Sequence, residues 1–269
     1  MSAKSISWEE SVVWLRGQPD QAELVRACFY DDPLLDAAVR YYTSTEWQAV
    51  RVLIDGKRGA ALDLGAGRGI SSYALARDGW QVSALEPDLS NIVGAGAIRA
   101  LAQEVSLDIR VEQNWGESLP YRDASFDLVY GRQVLHHARD LKQLCREAAR
   151  VLKPGGTFIA TREHVISRHE DLDIFLDSHP LHKLYGGENA YLLREYMDAI
   201  RGGGIVLTAV LNPYQSNINL YPETAAGLKR RMAAKLHLPK ALIPNMALVW
   251  LGAMNQAPGR LFTFVGRKH

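Results

Sequence analysis

From Ala60 onward the chain alternates short apolar runs with amphipathic segments, and this rhythm limits the fold more than any other feature. Residues 61–64, 81–85, 107–111, 126–130 and 157–161 are apolar runs bounded by turn formers, which predicts strands. Residues 70–77, 89–103 and 141–152 repeat apolar side chains at steps of three and four, which predicts helices between them. Strands joined through helices require parallel crossovers. The expected fold class is therefore α/β, a doubly wound sheet covered on both faces. Further strands at 205–210 and 261–265 bring the expectation to a seven-stranded, mostly parallel sheet.

Before this rhythm, apolar residues recur at helical steps from Trp8 to about Ile54, punctuated by Pro19 and Pro33. A helical cap is expected over residues 1–55 and the sheet domain over 56–269, with insertions at about 164–188 and 212–259 before the last strand. Unstructured connections of that length usually act as lids or binding loops. Lys plus Arg number 31 against 30 for Asp plus Glu, so no electrostatic footprint for nucleic acid is present. Cys28 and Cys145 stand far apart without metal-ligand spacing, which argues against a disulfide framework. The opening MSAKSISWEE lacks an export signal's apolar run, and residues 241–254 fall short of the roughly 20 residues that span a bilayer. The expected setting is cytoplasmic, with no transmembrane segment.

The segment ALDLGAGRGI, residues 61–70, puts Asp63, Gly65, Gly67 and Gly69 at the end of the first strand. Glycines there permit a tight turn and close backbone approach to a ligand, beside a helix N-terminus that favours anionic groups. Glu86 ends the second strand 21 residues beyond Gly65, the spacing at which a carboxylate accepts both hydroxyls of an adenosine ribose. Together these point to an adenosine-containing cofactor.

A dinucleotide loop wants G-x-G-x-x-G, whereas this chain has an acid followed by Gly65-Ala66-Gly67-Arg68-Gly69. In this it resembles the class I S-adenosylmethionine-dependent methyltransferases, of the type 11-like group. The likeness continues through LPYRDASFDLVYGRQVLHH, residues 119–137, and REAARVLKPGGTFIATRE, residues 146–163, and covers about residues 60–163. It implies a Rossmann-like fold, methyltransferase activity and S-adenosyl-L-methionine as cofactor. Residue by residue it implies that Gly65, Ala66 and Gly67 pack against the methionine and ribose portion, and that Asp63 contacts the amino-acid end through water or backbone. By the same likeness Glu86 binds the ribose hydroxyls, and Arg132 and Gln133 line the cofactor or acceptor side. Many relatives bind adenine with an acid shortly before Leu-Pro, but here that place holds Trp115. Adenine recognition is then expected from the Gly116 backbone, a polar neighbour such as Asn114 or Glu117, and packing on Trp115; the alternative is Trp115 as simple core.

On the acceptor side the candidate catalytic residues are His136, His164 and His182, since a neutral imidazole is suited to remove a proton near pH 7. His179-Pro180-Leu181-His182 with a nearby glutamate could hold a metal, but this spacing also suits a polar loop capped by Asn189, and no metal is assigned. The expected reaction is O-methylation of a small-molecule or glycan-type acceptor, with both insertions on the acceptor side. Tyr30, Tyr41, Tyr42 and Trp47 are candidate wall residues, with core packing as the alternative. Lys229, Arg230, Arg231 and Lys235 share a helix with Leu228, Met232 and Leu236, which reads either as a solvated face or as peripheral contact with an anionic membrane. Two other classes stay open, a non-catalytic S-adenosylmethionine-binding or scaffold protein and an NAD-dependent oxidoreductase. The oxidoreductase lacks its loop pattern.

Overall fold

A computed structural model of the chain describes residues 6–54 and 58–269, and the boundary expected at 55/56 lies outside the described residues. Four helices precede the sheet: α1 (Trp8–Arg16), α2 (Ala22–Ala27), α3 (Leu34–Thr43) and α4 (Thr45–Leu53). Ser7 and Glu10 close a capping box on α1, and the Ser44 hydroxyl accepts from the Trp47 amide at 3.0 Å to restart the chain as α4. Then follow β1 (Ala60–Leu64), α5 (Ile70–Arg77), β2 (Gln81–Leu85), α6 (Ala95–Glu104), β3 (Ile109–Glu112), β4 (Phe126–Arg132), α7 (Leu141–Val151) and β5 (Leu152–Ile166). The remainder comprises α8 (Asp171–Ser178), α9 (His182–Tyr185), β6 (Tyr191–Leu192), α10 (Leu193–Gly202), β7 (Ile205–Leu211), α11 (Asn217–Leu220), α12 (Ala225–Leu236), α13 (Asn245–Met254) and β8 (Arg260–Lys268).

The main path of the sheet runs β3-β2-β1-β4-β5-β8-β7, with β6 beside the end of β5. β1 to β5 pair in parallel, and β8 runs antiparallel between β5 and β7. The expected doubly wound α/β fold is therefore present, with an eighth, two-residue strand that its length hid from sequence reading. Two cores cover the two faces. One packs Leu144, Ala148, Tyr196 and Ile200 against Leu62, Val129 and Phe158; the other packs Tyr41, Trp47, Val50 and Leu75 against Ala61, Leu128 and Ile159.

Local departures from expectation have local causes. The helix expected from residue 89 starts at Ala95, because the Ser90 hydroxyl accepts from the Ile92 and Val93 amides and holds residues 90–93 in a turn. β5 is longer than the 157–161 expected and carries a bulge between Ala160 and Glu163, with Arg162 at φ 60°. Side chains of a strand normally alternate, yet Ala160 and Val165, five positions apart, enter the same core. The bulge supplies that change of parity, and with it the facing of Glu163.

Two arginines fasten the N-terminal helices to the sheet. Arg68 donates to the Phe29 and Asp31 carbonyls at 2.9 Å each and to the Ile92 carbonyl at 2.9 Å, and pairs with Asp32. Arg132, at the end of β4, meets Glu46 of α4 through Nε at 2.7 Å and Nη2 at 3.2 Å, both side chains being buried. Removing one member of such a pair strands the other charge in the interior. Glu46→Ala is expected to lower the unfolding free energy by about 3–5 kcal/mol in urea denaturation. A loss below about 1 kcal/mol would mean that the pair is not buried in solution.

Candidate functional site

At the carboxyl ends of β1, β2, β4 and β5 lies a cavity of about 740 Å³. Gly65, Ala66 and Gly67 line it directly after β1. Gly65 sits at φ +61°, where a Cβ would stand 2.7 Å from a Val134 methyl, so this position admits only glycine. Gly67 sits at φ +53°, and a Cβ there would meet nothing within 4 Å, since it faces the open cavity. Each Glu86 oxygen accepts one backbone amide, Gly67 at 2.7 Å and Asp88 at 3.0 Å, which leaves acceptor capacity on both. Burial pushes its carboxyl up to about 7, against the pull of those amides.

Asp63 is fully buried and does not border the cavity. It accepts from the Ser71 and Ser72 hydroxyls at 2.7 and 2.5 Å and so ties the start of α5 to β1, while burial lifts its carboxyl to about 6. Asp63 therefore anchors the loop from behind through Oδ2, and any contact it makes with the cofactor's amino-acid end is indirect. Trp115 is 49% exposed and lines the cavity with the Arg139 guanidinium 4.1 Å over its ring, so the simple-core alternative is excluded. Gly116 and Glu117 line the cavity too, whereas Asn114 does not, its side-chain oxygen accepting from the Trp115 amide. Arg132 and Gln133 both reach the wall.

The opposite end is built from three segments. The N-terminal helices and their connections bring Trp8, Phe29 and Tyr30. Of the other aromatic candidates, Tyr41 and Trp47 are core, Tyr41 bonding the Tyr130 hydroxyl at 2.8 Å, and Tyr42 packs on Tyr73. The insertion at 164–188 contributes His164, His179, Leu181, Tyr185 and Glu188. The insertion at 212–259 contributes none of the cavity wall, contrary to expectation. It leaves the sheet from the edge strand β7 and lies behind the wall, Tyr221 stacking on Phe29, the Gly259 carbonyl accepting from His164, and the Ile218 and Tyr221 carbonyls accepting from Arg162.

Of the three candidate histidines, His136 and His164 line the cavity and His182 does not. His182 begins α9, and the wall is reached instead by His179, just after α8. The His-x-x-His pattern had put both on equal footing. His179 and a nearby glutamate are part of the pattern read from the sequence as a possible metal holder, but His182, not His179, is the member assigned a catalytic role there.

Glu163 organises this end. Its carboxylate, fully buried, accepts from the Val134 amide at 3.0 Å, the His136 amide at 3.1 Å and His136 Nδ1 at 2.7 Å. Burial raises the carboxyl's proton affinity and the backbone donors oppose it. Burial also holds His136 well below its usual range and brings His164 down to about 3, so both rings are neutral near pH 7. Burial works against the Glu188 carboxylate, but protonation of a neighbouring imidazole would pull its proton affinity down, and the Tyr185 hydroxyl donates to it at 2.7 Å, so that it stays ionised.

Residues 62–160 match the family described as "Methyltransferase domain". The chain is 32% identical over 124 residues to an uncharacterized methyltransferase, YcgJ, of Bacillus subtilis, covering 43% of this chain and 45% of that protein. It is 37% identical over 119 residues to a ubiquinone biosynthesis O-methyltransferase of Xanthomonas campestris, covering 43% of this chain and 47% of that one. The chain thus spans about half the length of these relatives. In fold it is similar to the geranyl diphosphate C-methyltransferase of Streptomyces coelicolor, with a TM-score of 0.61 at 16% identity over 89% of this chain and 85% of that one. The chain carries a class I S-adenosylmethionine-dependent methyltransferase domain, and S-adenosylmethionine is the cofactor that domain takes.

The glycine positions and the two free lone-pair sites of Glu86 fit that cofactor. Gly65→Ala combines a left-handed backbone with a clash against Val134. It is expected to cost about 2 kcal/mol of stability and to weaken S-adenosylhomocysteine binding at least about tenfold by calorimetric titration. Unchanged affinity would show that the loop does not carry the ligand.

Proposed function

We propose that the protein transfers the methyl group of S-adenosylmethionine to a hydroxyl of a small-molecule acceptor, with a sugar-containing acceptor included in that class. No helix among the described residues is long and apolar enough to cross a membrane, and the proposed setting is cytoplasmic. The cofactor supplies an electrophilic methyl on a sulfonium centre. The protein's share is to hold an acceptor oxygen in line, exclude water and receive the acceptor's proton. In the transfer the methyl–sulfur bond breaks as the methyl–oxygen bond forms, leaving the thioether, and the proton passes from the acceptor to the imidazole end of the cavity and on to solvent.

The single observation that carries this reading is the position of His136 and His164, neutral and buried at the wall of the same cavity that the glycine loop lines. A hydroxyl needs a proton acceptor during methylation, and a neutral amine does not. An imidazole cluster therefore favours oxygen. The likeness to an O-methyltransferase over the cofactor-binding half is in keeping with this. Release of S-adenosylhomocysteine, measured across a panel of phenols, catechols and sugars, tests it. For an accepted substrate, His136→Ala is expected to cut kcat about 10²-fold or more while S-adenosylhomocysteine affinity stays within about twofold. Normal turnover in both His136→Ala and His164→Ala would sink the imidazole role.

We further assign ribose recognition to Glu86. Ionised, it can accept from both hydroxyls, and protonated it loses charge and acceptor capacity. Because burial lifts its carboxyl to about 7, affinity for S-adenosylhomocysteine should fall as the pH drops from 8 to 6, by about tenfold. Glu86→Gln should bind more weakly at pH 8 and show a flat profile. A wild-type profile that is already flat would falsify the assignment.

A further inference from the structure

Four histidine side chains gather around one carboxylate, Glu188, at the β5 end of the cavity, where the Tyr185 hydroxyl donates to Glu188 Oε1 at 2.7 Å. His136 Nδ1–H is committed to Glu163 at 2.7 Å, His164 Nδ1–H to the Gly259 carbonyl at 2.8 Å, and His137 Nδ1–H to the Gly187 carbonyl at 3.0 Å. A carbonyl or carboxylate oxygen only accepts, so the neutral rings of His136 and His164 each carry their lone pair on Nε2. The Nε2 atoms of His136 and His137 stand 3.7 and 3.9 Å from Glu188 Oε2. His179 Nδ1 lies 3.9 Å from Glu188 Oε1 and is buried without a hydrogen-bond partner. The His136 Nε2 lone pair and the Glu188 carboxylate, facing one another at 3.7 Å, repel, and a cation between them turns the repulsion into attraction.

We propose that His136, His164 and Glu188 form a binding site for a divalent transition-metal cation of the zinc, iron or manganese class. Their ligating atoms all lie within 4.8 Å of one another. Two imidazole nitrogens and one carboxylate oxygen are the donor set of such sites when coordination positions are left open. The outer contacts are in place as well, since Glu163 and the Gly259 carbonyl fix both rings through Nδ1–H and direct Nε2 inward. Zinc bonds of about 2.1 Å put tetrahedral ligand atoms about 3.4 Å apart, so the three groups close modestly on the ion. His179 is the adjacent fourth donor. The use of the site rests on the methyl-transfer reading: with the ion bound, the Nε2 lone pairs of His136 and His164 hold it instead of receiving the proton, and an acceptor hydroxyl completing the coordination would ionise more readily and release its proton to solvent. The binding itself does not depend on that reading.

The test is calorimetric titration of the chelator-treated full chain with zinc and manganese salts, with magnesium as a hard-cation control. One saturable site for zinc or manganese is expected, weakened about tenfold or more in His164→Gln and in Glu188→Gln. Both variants should keep wild-type affinity for S-adenosylhomocysteine, which shows that they fold. Cobalt loading of the wild type adds an independent readout, a visible d–d band that is absent from both variants. No saturable binding, binding unaltered in the variants, or magnesium bound as tightly as zinc would each overturn the proposal. Failure of every acceptor in the turnover assay would instead count against the methyl-transfer reading and leave the metal titration as it stands.

The insertion before β8 carries a second and independent signal. On α13, Met246, Trp250 and Met254 fall at four-residue steps and are 61–67% exposed, while Leu248 and Gly252 face inward. Leu236, Leu238 and Leu242, in the stretch from the end of α12 towards α13, are exposed as well. Lys229, Arg230, Arg231, Lys235 and Lys240 share this insertion, Arg231 being paired with Glu223, and residues 224–269 contain no Asp or Glu. We infer that this face rests on an anionic lipid surface, the Trp250 stripe entering the headgroup layer and the cations meeting phosphates. Full-length protein should co-sediment with phosphatidylglycerol-containing vesicles and not with pure phosphatidylcholine. Trp250→Glu and Lys235→Glu should each lower the bound fraction, about fivefold or more. Absence of binding, equal binding to both vesicles, or a dimer in solution that Trp250→Glu dissolves would overturn the inference, the last by showing that a second copy covers the face.

Discussion

The far end of the cavity depends on where one carboxylate, Glu163, points. A bulge with Arg162 in the left-handed region shifts the strand's parity, so that Glu163 enters the sheet's α7 face rather than the opposite one. There it receives two backbone amides and one imidazole N–H, which closes the turn after β4 onto β5 and fixes the His136 tautomer. Leaving such a carboxylate unpaired in the interior would be costly. Its partners therefore hold the turn, and the turn holds the cavity.

A second set of buried charges couples the cofactor loop to the N-terminal helices. Arg68 belongs to the glycine loop, yet its guanidinium is spent on carbonyls of residues 29, 31 and 92 and on Asp32. Arg132 follows β4 and is spent on Glu46 of α4. The helices that bring Phe29 and Tyr30 to the wall are thus anchored by the residues that shape the cofactor end. This gives the molecule a physical route by which ligand at the loop could steady the cap, through contacts with two discrete partners rather than a diffuse interface.

Fold alone does not name the reaction. Among the proteins this chain is similar to, one is an O-methyltransferase and another a C-methyltransferase, on the same kind of sheet. What separates such chemistries is the set of groups at the acceptor end, and in this chain that set is imidazoles and a carboxylate rather than a purely apolar wall.

The periodicity of residues 60–163, the glycine spacing and Glu86 were legible in the sequence because they are local. Strand and helix periods, left-handed glycine positions and a 21-residue spacing are properties of short stretches and survive without knowledge of the rest. Trp115 at the wall, Asp63 behind the loop and His179 in place of His182 were decided only by tertiary structure. So were the placement of residues 212–259 behind the wall instead of in it and the meeting of His136, His164 and Glu188. Apart from Asp63, whose partners Ser71 and Ser72 lie only eight and nine residues on, each of these depends on a bulge, an edge strand or a long loop that brings residues tens of positions apart into contact, and no local period encodes where such a loop returns. By itself the sequence determined the sheet and the half of the site that holds the cofactor. Tertiary packing decided the imidazole half, because that half is assembled from segments whose only shared property is the space they enclose.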